Sequence, residues 1–174
     1  MHFACGLQGS IELPVVELLL KSYPESVHEK CEYGRTPLHY ACQAVSRFEG
    51  GIETLLGLYP EAVYYERDID GCTPLYLACD NKASTEIIQL LLDRAPQAVS
   101  GKGKSGNTPR HCACLRGLLS LEVLVELLVQ GHPDTIQEMN DCGLTPFHLL
   151  AQFYPSNTDE VLFLIQMDPE GILP

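Results

Sequence analysis

Apolar residues recur along the chain at helical spacing in short runs, and the runs come in pairs. In one pair the first run places apolar side chains at Leu38, Ala41, Cys42 and Val45. This spacing of three and four positions is typical of a helix with one buried face. The second runs are denser, stop before a proline as helices do, and include Val15–Leu20, Ile87–Leu92, Leu124–Val129 and Val161–Ile165. The pattern predicts an all-α chain of helix pairs.

A short phrase, Gly-x-Thr-Pro-x-(His/Tyr), precedes the first helix of each pair. It begins at Gly34, Gly71, Gly106 and Gly143, with spacings of 37, 35 and 37 residues. Glycine supplies the positive φ of a tight turn, threonine caps a helix, and proline fits the first helical position. A fixed period of this length indicates stacked supersecondary units.

The units resemble ankyrin repeats, whose signature is Thr-Pro-Leu-His-x-Ala. Residues Thr36–Ala41 match the signature in full, whereas later copies carry Tyr76, Arg110 and Phe147 as substitutions. The period of about 36 exceeds the usual 33, and the second helices end in Tyr-Pro-Glu-type sequences. The resemblance implies an ankyrin-type repeat solenoid of about five helix pairs, the first one truncated. We expect one domain over 1–174, with approximate units 1–33, 34–70, 71–105, 106–142 and 143–174.

Charge and hydropathy exclude several classes of partner. The formal net charge of −12 disfavours nucleic acid, because binding there depends on neutralising phosphates. Glu17, Glu122 and Glu126 interrupt the apolar stretches, so we expect no membrane span. The first residues lack a positively charged region, so no signal peptide is predicted.

The histidines and cysteines recur in register with the phrase, which favours a structural role for them. We expect His39, His111 and His148 to bond the adjacent threonine and a neighbouring loop. The sequence His111-Cys112-x-Cys114 hints at metal, but positions i and i+2 of a helix point apart. No nucleophile, base and acid fall together. We therefore predict no enzyme activity and no catalytic, cofactor-binding or metal site.

The resemblance implies that a protein partner binds a concave face of turns and first helices. Tyr33, Ile69, Leu115, Leu144 and Phe153 are expected to be exposed apolar contacts on that face. The full candidate set is Tyr33, Arg35, Gln43, Ile69, Asp70, Asp80, Lys104, Asn107, Leu115, Arg116, Asp141, Leu144 and Phe153. We expect a monomer in the cytoplasm or nucleus. Two alternatives stay open: a fragment of a larger protein whose catalytic or membrane domain is missing, and a thiol- or zinc-dependent enzyme.

Three local features carry further expectations. Arg110 occupies an apolar position and should destabilise the fold unless its head group reaches water. The interior glycines Gly50, Gly51 and Gly57 should weaken the second helix of the second unit, each by about 0.5–1 kcal/mol. Residues 101–116 carry four basic residues and no acid, whereas the last 58 residues carry nine acids and no Lys or Arg. This split predicts a partner with a basic segment near Asp141 and an acidic or polar segment near Lys102, Lys104 and Arg116.

The cysteines should be reduced and metal-free in the purified protein. Cys5, Cys42, Cys79 and Cys114 occupy equivalent positions of successive units. Packed helices lie about 8–10 Å apart, whereas a disulfide needs Cα atoms within about 7 Å. Thiol titration and metal analysis check this expectation. One equivalent of tightly bound zinc, or a protected disulfide, would contradict it.

Overall fold

A computed structural model of the protein describes residues 13–116, 137–153 and 162. These residues form helices joined by short turns, and no strand lies in these ranges. The helices are α1 (Leu13–Ser22), α2 (Pro37–Gln43), α3 (Val45–Leu58), α4 (Ala62–Tyr65), α5 (Pro74–Asp80), α6 (Thr85–Arg94), α7 (Pro109–Arg116) and α8 (Pro146–Phe153). The all-α fold predicted from the sequence is therefore confirmed.

Two complete helix pairs are described, α2 with α3 and α5 with α6. The first helices pack side by side in chain order, α2 on α5, α5 on α7 and α7 on α8, and α1 packs on α3. Their facing sides bury a continuous apolar core. The predicted helical run Leu124–Val129, most of Val161–Ile165 and the truncated first helix lie outside the described residues.

Within the described residues, the proline that follows a second helix begins a short extra turn of helix. Pro24–His28 and Pro96–Ser100 are 3₁₀ helices, and α4 follows Pro60. Each turn buries a valine at the same place, namely Val27, Val63 and Val99. The Tyr-Pro-Glu-type ending therefore adds apolar surface to the core where an ankyrin repeat usually ends its helix with glycine.

The turn before each Thr-Pro pair has the geometry that its glycine predicts. Gly34, Gly71, Gly106 and Gly143 have φ values of 70°, 78°, 69° and 74°. The N–H of each glycine donates to the carbonyl oxygen three residues earlier. Only glycine adopts this φ without steric cost, and in the turn at Gly106 the preceding Ser105 also has a positive φ of 56°.

The histidine of the phrase joins its own turn to the next unit. The Thr36 N–H donates to Nδ1 of His39 at 3.2 Å, so Nδ1 is the unprotonated nitrogen. The Thr36 hydroxyl is 2.9 Å from the same atom, and Nε2–H donates to the carbonyl oxygen of Cys72 at 3.1 Å. His111 repeats the arrangement with Thr108 and the carbonyl oxygen of Leu144. The predicted structural role of these histidines is confirmed.

Tyr76 replaces this histidine in the third unit and is accommodated by a glycine in the following turn. Its backbone N–H donates to Oγ1 of Thr73 at 3.2 Å, which keeps the threonine cap. A Cβ atom on Gly103 would lie 2.8 Å from Cε2 of the Tyr76 ring and 2.9 Å from Sγ of Cys72. Any larger residue at position 103 would therefore displace the tyrosine.

The glycine-rich helix of the second unit is better anchored than the sequence indicates. Helix α3 runs unbroken through Gly50, Gly51 and Gly57. Ile52, Leu55 and Leu56 are fully buried in the core. Tertiary burial supplies these apolar anchors, and the weakening of the helix by its glycines stays a prediction.

Arg110 does not reach water, so the condition under which its head group would be tolerated at an apolar position is not met. The whole residue is 0% exposed. The nearby Glu138 carboxylate favours the charged guanidinium, although burial lowers the pKa of Arg110 to about 10. Arg110 is therefore a buried cation at neutral pH with an acidic neighbour.

Replacing Arg110 with leucine should now lower the thermal midpoint, the reverse of the sequence-based expectation. The substitution removes the positive charge that acts on the Glu138 carboxylate, whose Oε2 is buried and accepts no hydrogen bond within the described residues. Leaving a partly buried carboxylate less compensated costs about 1–3 kcal/mol. The double variant Arg110→Leu/Glu138→Gln should recover part of the loss. A midpoint raised by Arg110→Leu alone would show that added apolar burial dominates.

Stability should fall as the pH drops from 7 to 5, because burial lowers the pKa of His39 to about 4. The unfolded chain binds a proton near pH 6.5 that the folded protein excludes, so His39 contributes fully above that pH and loses its contribution as the pH falls toward 4. The expected loss between pH 7 and 5 is about 2 kcal/mol.

Urea unfolding of wild type and His39→Asn at pH 7 and pH 5 measures how much of the loss of stability is due to His39. The control is His28→Asn, which changes an exposed histidine. Burial also lowers the pKa of His111, so the variant should keep part of the pH dependence. Identical pH slopes for wild type and His39→Asn would contradict the prediction.

Candidate partner-binding face

The exposed tips of the four turns form a continuous row, which we call the tip row. Its members are Glu32 and Tyr33, Ile69 and Asp70, Lys104 and Ser105, and Asp141 and Cys142, all exposed. The Ile69 N–H donates to the carbonyl oxygen of Tyr33, and the Asp141 N–H to that of Ser105, both at 3.0 Å. Backbone bonds thus hold the Tyr33 and Ile69 tips together, and likewise the Ser105 and Asp141 tips, whereas the Asp70–Lys104 ion pair joins the middle two.

In two of the four turns a side chain binds the backbone of its own turn and so holds the tip in place. Oδ1 of Asp68 accepts the N–H groups of Asp70 and Cys72 at 3.0 and 2.9 Å. Oδ1 of Asn140 accepts two N–H groups in the same way, at 3.0 Å each. Neither residue belongs to the set predicted from the sequence. Their position three residues before the turn glycine is the signal, since Asp and Asn there form turns of this kind.

Of the five apolar residues predicted to be exposed, three are. Tyr33 and Ile69 are 52% and 68% exposed, and Phe153 is 52% exposed at the C-terminal end of α8. Leu115 and Leu144 are half-buried and pack against the core, so for these two the expectation is wrong.

The structure brings Tyr33 and Ile69 together at neighbouring tips. Phe153 lies at the opposite end of α8 from the Thr-Pro turn. The exposed apolar surface of the predicted set is thus concentrated at the junction between the second and third units.

Several of the predicted charged residues form ion pairs between neighbouring turns. Nε of Arg35 lies 2.9 Å from Oδ2 of Asp68, and Nη1 of the same side chain donates to Oε1 of Gln43 at 2.9 Å. Lys104 pairs with Asp70 at 3.2 Å. Arg35 is largely covered, which makes it a structural bridge as well as a face residue.

Three further predicted polar residues, Asp80, Arg116 and Asn107, also have partners within the chain. Arg116 pairs with Asp80 at 2.7 Å, and Oδ1 of Asn107 accepts a hydrogen bond from Nδ2 of Asn140 at 2.9 Å. The Asp70 carboxylate raises the pKa of Lys104, and the Asp80 carboxylate raises the pKa of Arg116. Two of the four basic residues at 101–116, Lys104 and Arg116, are therefore paired with acids that precede them in the chain.

Lys102 and Arg67 join the third, fourth and fifth units through carbonyl oxygens. Nζ of Lys102 donates to the carbonyl oxygen of Met139 at 3.2 Å. Nη1 of Arg67 donates to the carbonyl oxygens of Gly71 and Lys102 at 3.1 and 3.2 Å. Residues 101–116 thus offer fewer free cations to a partner than their composition indicates.

The thiols beside His111 are buried in the helix stack. Burial raises the pKa of both Cys112 and Cys114 to about 12, which disfavours the thiolate that a nucleophile or metal ligand requires. The Thr108 side chain and the Leu144 carbonyl occupy the two ring nitrogens of His111. Within the described ranges, no three His, Cys, Asp or Glu side chains are grouped as metal ligands would be.

Among the helices described, none combines the length and the apolar character that crossing a bilayer requires.

Comparison with known proteins gives consistent matches. Residues 70–100 match the family profile described as Ankyrin repeat. The chain is 30% identical over 126 residues to an ankyrin repeat-containing protein of Schizosaccharomyces pombe, covering 71% of this chain and 50% of the relative. It is 29% identical over 152 residues to transient receptor potential cation channel subfamily A member 1 of Homo sapiens, covering 87% of this chain and 12% of the relative.

A third relative is Rabankyrin-5 of Mus musculus, 29% identical over 139 residues, covering 80% of this chain and 11% of the relative. The chain thus spans half or less of the length of these relatives. Ankyrin repeats indicate a protein-interaction module. The recurring turn, the stacked first helices and these matches agree with one another, and the chain belongs to the ankyrin repeat family.

Proposed function

We propose that the chain is a non-catalytic protein-interaction module whose partner binds the tip row and the adjoining ends of the first helices. The observation that carries the proposal is the pair of exposed apolar side chains, Tyr33 and Ile69, at adjacent tips. Exposed apolar groups that are contiguous and rimmed by polar residues mark interaction sites.

Rigidity of the tips supports the same function. Tyr33 and Ile69 are linked through their backbones, and Asp68 fixes the turn that carries Ile69. A contact surface that is ordered before binding loses less conformational entropy when the partner arrives. Tyrosine adds contact area at a low entropic cost, which suits an anchor residue.

The wider candidate set belongs to the proposal with different roles for its members. Asp70, Lys104, Asp80 and Arg116 would form a polar rim, since exposed ion pairs contribute little to stability and exchange easily with a partner. Leu115, Leu144, Asn107, Arg35 and Gln43 would support the face from below. Asp141 and Phe153 would extend it toward the fifth unit.

The proposal also includes a single repeat domain over 1–174 with the five units given above, a monomeric state and an intracellular compartment. Similarity to longer proteins supports the alternative that this domain serves a larger chain whose activity lies elsewhere. A thiol enzyme has less support, because the buried thiols have raised pKa values. A separate repeat domain that binds a protein is compatible with the larger-chain alternative.

Capture from a cell extract followed by quantitative mass spectrometry tests the face. Wild type is compared with Tyr33→Ala/Ile69→Ser and with Leu58→Ser, which changes an exposed leucine of the second helix α3. Loss of two anchor contacts should reduce capture of a specific partner at least about tenfold, because each anchor contributes at least about 1 kcal/mol. The Leu58→Ser control should capture as wild type does, and circular dichroism should show all three proteins folded. Equal capture by the tip-row variant would refute this face as the site.

A further inference from the structure

We propose that the tip row binds an extended, net basic segment with four contact residues at intervals of three: basic, apolar, polar and basic. This inference rests on the proposed function and names the chemistry of the partner. The basic residues would face Glu32 and Asp141, the apolar residue Tyr33 and Ile69, and the polar residue the Asp70–Lys104 pair.

The interval follows from the stacking of the first helices. Helices α2, α5, α7 and α8 pack side by side, and neighbouring helices of this kind lie about 8–10 Å apart. An extended chain advances about 3.3 Å per residue, so it crosses one unit in about three residues. A polyproline II segment rises about 3.1 Å per residue with three residues per turn, which directs every third side chain to one face. One residue in three therefore meets each successive tip.

The apolar contact of the segment is placed by the tips that carry Tyr33 and Ile69. Tyr33 and Ile69 are the exposed apolar residues of the tip row, and the bond from the Ile69 N–H to the Tyr33 carbonyl oxygen holds them adjacent. Their neighbour Asp70 is neutralised by Lys104. An apolar side chain seated here would be desolvated beside a neutral pair, without burying an unpaired charge.

The two ends of the tip row carry acids that are free to bind a cation. Glu32 and Asp141 are exposed, and neither forms a salt bridge with another residue in the described ranges. A Cβ atom on Gly106 would overlap the Asp141 carboxylate, so the glycine leaves room for that carboxylate beside its own turn. The net charge of −12 adds a long-range attraction for a basic segment.

The middle of the row disfavours a strongly charged contact. Lys104 and Asp70 are 59% and 41% exposed at their side chains and lie 3.2 Å apart. A neutral serine or asparagine can donate to the carboxylate and accept from the ammonium, whereas an acid would have to displace Asp70. The sequence predicted an acidic or polar partner segment near Lys104. The Asp70–Lys104 ion pair favours a polar one.

A designed peptide tests the register directly. The probe is a fluorescein-labelled decapeptide with Lys at position 1, Leu at 4, Ser at 7 and Lys at 10, and alanine or proline elsewhere. It is compared by fluorescence anisotropy with its reversed sequence and with a permuted peptide of the same composition. One of the two spaced peptides should bind wild type at least about fivefold more tightly than the permuted one, and Ile69→Ser should remove that preference.

A charge exchange separates specific contact from general attraction. Asp141→Lys should weaken binding of the preferred peptide at least about fivefold, and replacing the peptide lysine farther from the leucine with glutamate should restore it. The matched control is Glu53→Lys on helix α3, which changes net charge equally and should leave the preference for the spaced peptide intact.

The outcomes distinguish this inference from the proposed function. Equal binding of spaced and permuted peptides, or an Asp141→Lys defect that the glutamate peptide does not repair, would overturn the register. If the capture experiment still depended on Tyr33 and Ile69, the tip row would remain the binding site. If capture were independent of those residues, the proposed function itself would fail.

Discussion

The buried imidazole at the start of a first helix is the interaction on which the stack depends. One ring nitrogen of His39 accepts from Thr36 in its own turn, and the other donates to the Cys72 carbonyl of the next. His111 makes the same connection between the fourth and fifth units. Because the ring is neutral and shielded from water, both bonds are retained in one tautomer and fix the distance between successive turns.

The junction between the third and fourth units reaches the same stacking by different chemistry. Tyr76 occupies the histidine position, and its ring fits only because Gly103 has no side chain. Arg67 supplies the missing connection by bonding carbonyl oxygens of both turns. The repeat geometry therefore accommodates a tyrosine at the histidine position, because a glycine in the following turn leaves room for its ring.

Electrostatics give the face a neutral middle, whereas its ends and the chain as a whole are acidic. Ion pairs at the unit junctions, such as Arg35–Asp68 and Asp70–Lys104, cancel charge locally along the turns. The chain as a whole carries a formal charge of −12. A partner would therefore meet exposed Tyr33 and Ile69 within a paired polar rim, while the net charge acts over a longer range on the approach rate.

The sequence by itself determined the helix pairs, the four turns and their period. Positive φ at glycine, capping by threonine and the one-sided apolar pattern are local properties that a chain displays in its own order. The role of histidine beside threonine followed from the same short phrase. The exposure of Tyr33, Ile69 and Phe153 was also predictable, because these residues flank turns or end a helix.

Only the tertiary structure decided which predicted surface residues remain available to a partner. Leu115 and Leu144 are half-buried, Arg110 lies in the core near Glu138, and Lys104 is paired with Asp70. Each of these outcomes depends on residues brought together by the packing of one unit on another, often more than 25 positions apart in sequence. Local patterns specify which way a side chain points from its helix, whereas stacking specifies what it meets.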